Sequence, residues 1–409
     1  MPDASEAVET SEATKAPPGP LIAVMAFACG ASVANVYYAQ PLAGLIGPAV
    51  GLAAAHSGLV VTLTQIGYAL GLFLLVPLGD LLESRRLIVA TLSVAVLALG
   101  AAALAGSAAA FLLAALLIGV SSVGAQMLVP LAAHLTPPAL RGQVVGAVMS
   151  GLLLGILLAR PASSLVAAAF GWRTVFAGSA ALMAAVSLLL WFALPDRRPA
   201  LGERYGQLLR SLWPLLRDTP VLQRRTIYQS CMFASFTVFW TASPLLLAGP
   251  PFHLSQVGIA MFALAGAGGA VAAPVAGRIA DAGWTRPATG AAMALVAAAF
   301  ALSRLGGGLG HGGHGSVAVL TLAAVLLDFG VQSNQVIGQR AIYALPGHAR
   351  SRLNGIYIGV FFFGGAAGSA LAGPALAHGG WNAVSWIGIA FPLVALVVYA
   401  TEFLPSARR

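Results

Sequence analysis

The chain has 409 residues, of which 59% are hydrophobic and only 8% charged, with a formal net charge of +9 at pH 7 and a mean hydropathy of +0.89. Soluble domains are near a quarter charged, so the composition excludes a soluble globular protein. A bilayer core about 30 Å thick takes about 20 apolar residues per helical crossing, and twelve crossings use about 240 to 300 residues, which leaves loops and tails but no separate soluble domain.

Residues 1–19 carry Asp3, Glu6, Glu9 and Glu12, then Pro17 and Pro18. They lack a basic-then-apolar signal pattern and read as a disordered cytoplasmic tail. Lys15, in this tail, is the one lysine of the chain. That excludes a retinal Schiff base inside the membrane and a phosphate-cradling P-loop. Apolar runs follow at 20–46, 57–78, 87–108, 109–133, 142–168 and 173–195, which make an N-terminal bundle over 20–195. The polar stretch 196–225, rich in arginine, reads as a cytoplasmic, solvated linker. A second set at 226–248, 255–277, 285–305, 316–338, 352–378 and 382–404 makes a C-terminal bundle over 226–404, with 405–409 as a short tail. The expected fold is all-α: twelve transmembrane helices in two pseudo-symmetric six-helix bundles. Cys29 and Cys231 fall in apolar runs, where a thiol acts as a small hydrophobe and says nothing of redox compartment.

Basic residues are retained on the cytoplasmic side of membrane helices. With both termini cytoplasmic, 18 of the 21 lysines and arginines lie on that side. Arg173 and Arg304 lie opposite, and only Arg160 falls inside a span. This asymmetry accounts for the positive charge without a nucleic-acid partner.

The two halves repeat. Gln126, Arg141, Gly146, Gly155 and Gly171-Trp172 recur 209 positions later as Gln335, Arg350, Gly355, Gly364 and Gly380-Trp381. Gly71 and Pro77 recur 197 positions later as Gly268 and Pro274. Cys29 and Val36-Tyr37-Tyr38 recur at 202 as Cys231 and Val238-Phe239-Trp240. Parallel six-helix repeats are how many secondary transporters build a site at mid-depth between halves that rock against one another.

With these features the chain resembles the major facilitator superfamily over residues 20–404. The family's loop between the second and third helices has its counterpart in Asp80, Arg85 and Arg86, and again in Gly277, Asp281 and Arg286. The resemblance implies a gating latch in which the acid pairs with the arginines and a helix end and releases when the halves rock. The first copy departs from the pattern at Val76 and Glu83. The fifth span, with Gly146, Gly155, Ala159, Arg160, Pro161, Ser163 and Ser164, is similar to a Gly-rich antiporter signature. Small residues there suit close packing, expected at the interface between the halves. Ala34-Asn35-Val36-Tyr37-Tyr38-Ala39-Gln40-Pro41-Leu42 looks like a branch of bacterial drug:proton antiporters. The arginine that many such antiporters place in the fourth span is missing here, since no basic residue lies between Phe111 and Ala133.

Asp328 is the candidate proton-coupling residue. Entered from the periplasm near Ser316, the tenth span brings it about 18 Å deep, mid-way through the core. An isolated ionised carboxylate is costly there, so the acid is expected to be protonated for much of a transport cycle unless water or a cation reaches it. A structural acid bonded to a neighbouring helix is the alternative. Gln332, Gln335 and Gln339 follow at i+4, i+7 and i+11 as one polar stripe. Arg160 lies about 25 Å up the fifth span, where it either snorkels to the outer interface as an anchor or serves as counter-charge to Asp328 or partner of an anionic substrate.

The other cavity candidates are Asn35, Tyr37, Tyr38 and Gln40 in span one, Ser122 and Gln126 in span four, and Thr237, Trp240 and Thr241 in span seven. Each is also explicable as a helix-to-helix hydrogen bond. His311 and His314 fall short of a zinc ligand set, and Trp172 and Trp381 are expected in an interfacial aromatic belt.

The expected protein is a bacterial inner-membrane transporter that moves a small organic, amphipathic solute by alternating access, outward in exchange for protons. An importer or uniporter on the same fold is the alternative. Solute, protons and membrane lipid are the expected partners, with no nucleic acid, cofactor or metal, no enzymatic activity, and a monomeric state.

Overall fold

The computed structural model describes residues 17–196, 204–266, 268–269, 272–307, 313–345 and 350–403. The polar N-terminal tail with Lys15, His311 and the tail 405–409 lie outside them. Every regular element among the described residues is helical. The first half consists of α1 (Gly19–Ala34), α2 (Ala43–Ala49), α3 (Leu59–Leu74), α4 (Ser84–Leu104), α5 (Ala108–Ser121), α6 (Gly124–His134), α7 (Arg141–Phe170) and α8 (Trp172–Ala193). A connecting helix α9 (Tyr205–Asp218) follows. The second half consists of α10 (Pro220–Ala248), α11 (Gln256–Gly266), α12 (Ala272–Asp281), α13 (Thr285–Gly307), α14 (His314–Tyr343) and α15 (Arg350–Ala400).

Among the described residues nine helices are long and apolar enough to cross a membrane, and the last of these folds back at Gly380 to supply two crossings. The shorter apolar helices α1 and α11 are each continued by a second piece, α2 and α12, so the chain crosses twelve times. Twelve crossings put Gly19, Phe403 and the connecting helix on one face, termed here the linker face; the other is the distal face.

Glycine sets how closely the spans approach. A side chain on Gly155 would stand 2.2 Å from the Gly30 carbonyl oxygen, so α7 and α1 touch backbone to backbone. In the second half Gly364 stands against the Ser230 carbonyl and Gly368 against that of Ala234, which repeats the contact between α15 and α10. This corrects the expectation drawn from the span-five signature, because these glycines close each half internally and do not line the seam between halves. Backbones that approach this far gain dispersion contacts which bulkier residues would forbid.

The seam is built by other residues. Thr62 and Ser369 share a hydroxyl hydrogen bond of 2.9 Å, Gly373 stands against the Ala55 carbonyl, and Gly359 against the ring of Phe73, all between α3 and α15 or their flanks. The second seam pairs α7 with α11, the distal piece of span eight, whereas α12 packs on α14 and α13.

The repeat is visible in the turns. Gly171 (φ 84°, ψ 159°) and Gly380 (φ 59°, ψ −160°) each join two antiparallel spans in a backbone region that side chains rarely enter. The tryptophans that follow are buried, not interfacial. Trp172 packs edge-on to Phe111 and Phe176, and the Trp381 indole donates to the Ser303 carbonyl at 3.0 Å while packing against Phe239. An aromatic belt is therefore not their role; each wedges a hairpin to its neighbours.

The stretch between the halves contains the amphipathic helix α9, with Leu208 buried and Leu212, Leu215 and Leu216 against the core. Trp213 and Arg210 face outward. The Tyr205 hydroxyl donates to the Leu74 carbonyl (2.8 Å) in the first half, and Arg352 of the second half donates to Ser211 (2.9 Å).

Candidate functional site

The centre of the site lies where helices break. Span one unwinds from Asn35 to Leu42, because Pro41 has no N–H to donate and the backbone bonds there shorten to i→i+3, as in Tyr37 to Ala34 and Gln40 to Tyr37. Asn35, Tyr37, Tyr38 and Gln40 all sit on this unwound stretch. In span eight, α11 ends at Gly266 and α12 begins at Ala272. Gly266 and Gly269 face Trp240 and Asp328, so closely that a side chain on Gly269 would stand 2.4 Å from the Asp328 Cβ.

Asp328 lies at the middle of the 30-residue α14, and Arg160 lies two thirds of the way along the 30-residue α7. Both are buried, with 8% and 6% of their surface exposed. A single indole joins them. Trp240 Nε1 donates to Asp328 Oδ1 at 2.8 Å, and its ring face lies 4.4 Å from the Arg160 guanidinium carbon. Phe236 and Tyr37 cover the same guanidinium at 4.8 and 5.3 Å. Arg160 Nε donates to Gln40 Oε1 at 2.8 Å. The chain Gln40, Arg160, Trp240, Asp328 thus crosses the seam, with two members from each half. The guanidinium turns inward, so the geometry is not that of an interfacial anchor. A cation over a desolvated aromatic face is held by about 2 kcal/mol.

The two charges break the internal repeat. The position 209 after Arg160 is Ser369, and the position 209 before Asp328 is Gly119. Each half therefore supplies one charge and a small residue at the matching place.

The remaining candidates separate. Asn35 accepts from Ser179 of α8 (2.6 Å), and its amide nitrogen is buried without a partner. Thr241 is buried beside Trp240 with its hydroxyl unpartnered. Tyr38, Gln332 and Gln335 are half-buried, and the Gln335 carbonyl accepts from the Tyr357 hydroxyl at 3.4 Å. Ser122 and Thr237 serve helix packing: Ser122 bonds within span four, and Thr237 donates to the Gly365 carbonyl at 2.7 Å. Gln126 lies elsewhere. It reaches the Tyr68 hydroxyl (3.4 Å) and lines an open cleft on the linker side of the first half, with Asp80, Pro130 and His134.

The latch arginines also reach acids that the expected pattern does not name. Arg85 and Arg86 bind Glu83, at 3.5 and 2.7 Å, and Arg85 also pairs with Asp196, whereas Asp80 lines the cleft. Glu83 immediately precedes α4 and its arginines, which puts its carboxylate nearer to them than that of Asp80, held in the preceding 3-10 turn. In the second copy Asp281 pairs with Arg340 of α14, while Arg286 turns to Glu402 at 3.4 Å. Glu402 also accepts from Tyr228 (2.7 Å) and faces Arg224 (3.7 Å), tying spans seven, nine and twelve together.

Sequence reasoning passed over Gln65, buried in α3 and abutting Gly365 across the seam, and the buried pair Asn334 to Gln229 (2.7 Å) between α14 and α10. An amide in an otherwise apolar span was the available signal for Gln65 and Gln229, and Asn334 stood beside the polar stripe already noted. Phe236 was also missed, since nothing in the sequence marks which aromatic faces a cation.

Twelve crossings in two matched halves, with a buried acid and a buried arginine on either side of one indole at the seam, define an all-α membrane transporter. The sequence pattern of the Major Facilitator Superfamily matches residues 21–333. The chain belongs to this superfamily. It is 42% identical over 383 residues to an uncharacterized transporter of Escherichia coli O157:H7, YgaY, with 94% of this chain and 95% of that one covered. It is 37% identical over 389 residues to a probable transporter of Streptomyces coelicolor, covering 94% of this chain and 88% of the other. Among solved structures it is similar to the nucleoside transporter NupG, with a TM-score of 0.75 and 14% identity over 94% of this chain and all of that one. That likeness concerns the fold.

Proposed function

We propose that this transporter moves a small organic, amphipathic solute across a bacterial inner membrane by alternating access, coupled to protons through Asp328, with both termini on the cytoplasmic side. The observation that carries the reading is the buried carboxyl of Asp328 at the seam, held by Trp240 from its own half and facing a buried arginine from the other. An acid placed there changes its surroundings whenever the halves move, and a group whose charge is stabilised differently in two states is the minimum device for coupling protons to that movement. The latch-like contacts on the linker face, Glu83 with Arg85 and Arg86 and Asp281 with Arg340, are the interactions that such a movement has to remake.

The Gly-rich signature of span five and the Asn35-to-Leu42 stretch support outward exchange for protons. A second reading, uptake with protons, is favoured by the place of the interior cation: it stands in span five, facing Asp328, and span four carries none between Phe111 and Ala133. Proteoliposomes loaded with a pH-sensitive dye test both. Solute entry that alkalinises the lumen marks exchange, and entry that acidifies it marks co-movement. Asp328→Asn is expected to abolish the pH-driven flux and spare downhill solute exchange; a variant whose pH-driven flux equals that of the wild type refutes the coupling role.

A further inference from the structure

The buried arginine keeps hydrogen-bonding capacity that the protein does not use. Arg160 Nε donates to Gln40, yet Arg160 Nη2 and Gln40 Nε2 are buried and unpartnered. Ser164, one turn further along α7, and Thr241, next to Trp240, have buried hydroxyls in the same condition. Guanidinium and amide nitrogens only donate, and a hydroxyl can donate. Among the described residues no carboxylate lies within 4.0 Å of Arg160. Its charge rests on three aromatic faces, which support a cation but do not satisfy its N–H groups. Unpaired charged donors are expensive to bury. A set of donors walled by aromatic rings fits an acidic group carried on an apolar body.

We propose that Arg160 recognises the acidic group of an organic anion whose apolar body lies against Tyr37, Phe236 and Trp240. The substrate class follows from the donor set alone, while its coupling rests on Asp328 as the proton carrier. Among the described residues the charged or titratable groups facing Asp328 are Arg160 and Tyr37, and the packed spans seven and eight present the Trp240 indole and glycines. With Asp328 ionised, the carboxylate offsets the guanidinium from the edge of the same indole. With a proton on Asp328 the guanidinium is uncompensated, and its pull on an anion is strongest. Anion and proton then bind together and cross in the same direction, which is the uptake reading.

The test is ligand-dependent thermal stabilisation of the full chain in nanodiscs, using benzenesulfonate, benzoate and phenylphosphonate against benzylamine and benzamide. The anions are expected to raise the melting temperature and the amine and amide to leave it unchanged. Arg160→Gln should weaken anion binding by about thirtyfold or more, with Arg160→Lys between. Stabilisation by benzylamine alone, by no anion of the set, or by anions equally in Arg160→Gln overturns the proposal. Should Arg160→Gln fail to fold, the selectivity of the wild type decides. Benzenesulfonate, whose charge is constant near neutral pH, should bind more tightly as the wild type is acidified, and tightly at every pH in Asp328→Asn. A pH dependence that survives in Asp328→Asn removes the proton-carrier reading and leaves anion recognition standing.

Discussion

Gly266, at the end of α11, is a sensitive point of the site that carries no chemistry of its own. A methyl group there would stand 2.5 Å from both Cη2 and Cζ2 of Trp240 and 3.8 Å from Asp328 Oδ2. Carbon atoms in good contact stand about 3.5–4.0 Å apart, so Gly266→Ala requires the indole to retreat by about 1 Å. The indole donates to Asp328 Oδ1 at 2.8 Å, and a retreat of that size takes the bond beyond useful length. The lost hydrogen bond leaves its buried partners unsatisfied, at about 1–3 kcal/mol, and overpacking costs about 1–3 kcal/mol. Both arise from one displacement, so they overlap rather than add, and a loss of about 2–4 kcal/mol is expected. Chemical denaturation of the purified protein measures it. In proteoliposomes the pH-driven flux should fall by about tenfold or more, because the carboxyl is misplaced relative to Arg160. A Gly266→Ala protein with the stability and flux of the wild type refutes the claim that this indole links the two charges.

Gly171→Ala and Gly380→Ala place a side chain in a backbone region almost confined to glycine, with nothing within 4 Å to clash; each should cost about 1–3 kcal/mol, read as a lower melting temperature. Gly178→Ala, in the interior of α8 and facing open space, should be neutral or stabilising by up to about 1 kcal/mol in the same measurement. Glu402→Gln removes contacts with Arg224 and Arg286, whose side chains are 39% and 66% exposed. Solvent screens these pairs, so a loss of about 1 kcal/mol or less is expected, shrinking further in high salt.

The twelve crossings were legible because hydrocarbon imposes one demand on every span, namely about 20 residues without charge, and the runs of Leu, Ala and Val declare it. The repeat was legible too, and Gly171 and Gly380 show why: a tight reversal between spans needs the same backbone region twice. What the sequence concealed was partnership. Asp328 stood out as an acid in an apolar helix, but that it takes its hydrogen bond from Trp240 depends on the rotation of α10 against α14, which no periodicity reports. Arg160 was ambiguous between lipid interface and interior because depth along a helix does not reveal the side it faces. Arg85, Arg86 and Arg286 reach Glu83 and Glu402, acids that the latch pattern does not name, since flexible charged side chains take a near carboxylate, and proximity at helix ends is set by turns. Helix α9 had its apolar stripe at Leu208, Leu212 and Leu215 in plain view, masked by seven arginines that suggested a wholly solvated connector.

Helix α9 is hydrogen-bonded to Leu74 on one side and Arg352 on the other. It therefore acts as a tether of fixed length across the mouth of the linker face. A swing that parts the halves on that face stretches one of these two bonds, so the helix must ride with one half and release the other. On the alternating-access reading proposed above, shortening or loosening this strap resets how wide the linker face opens.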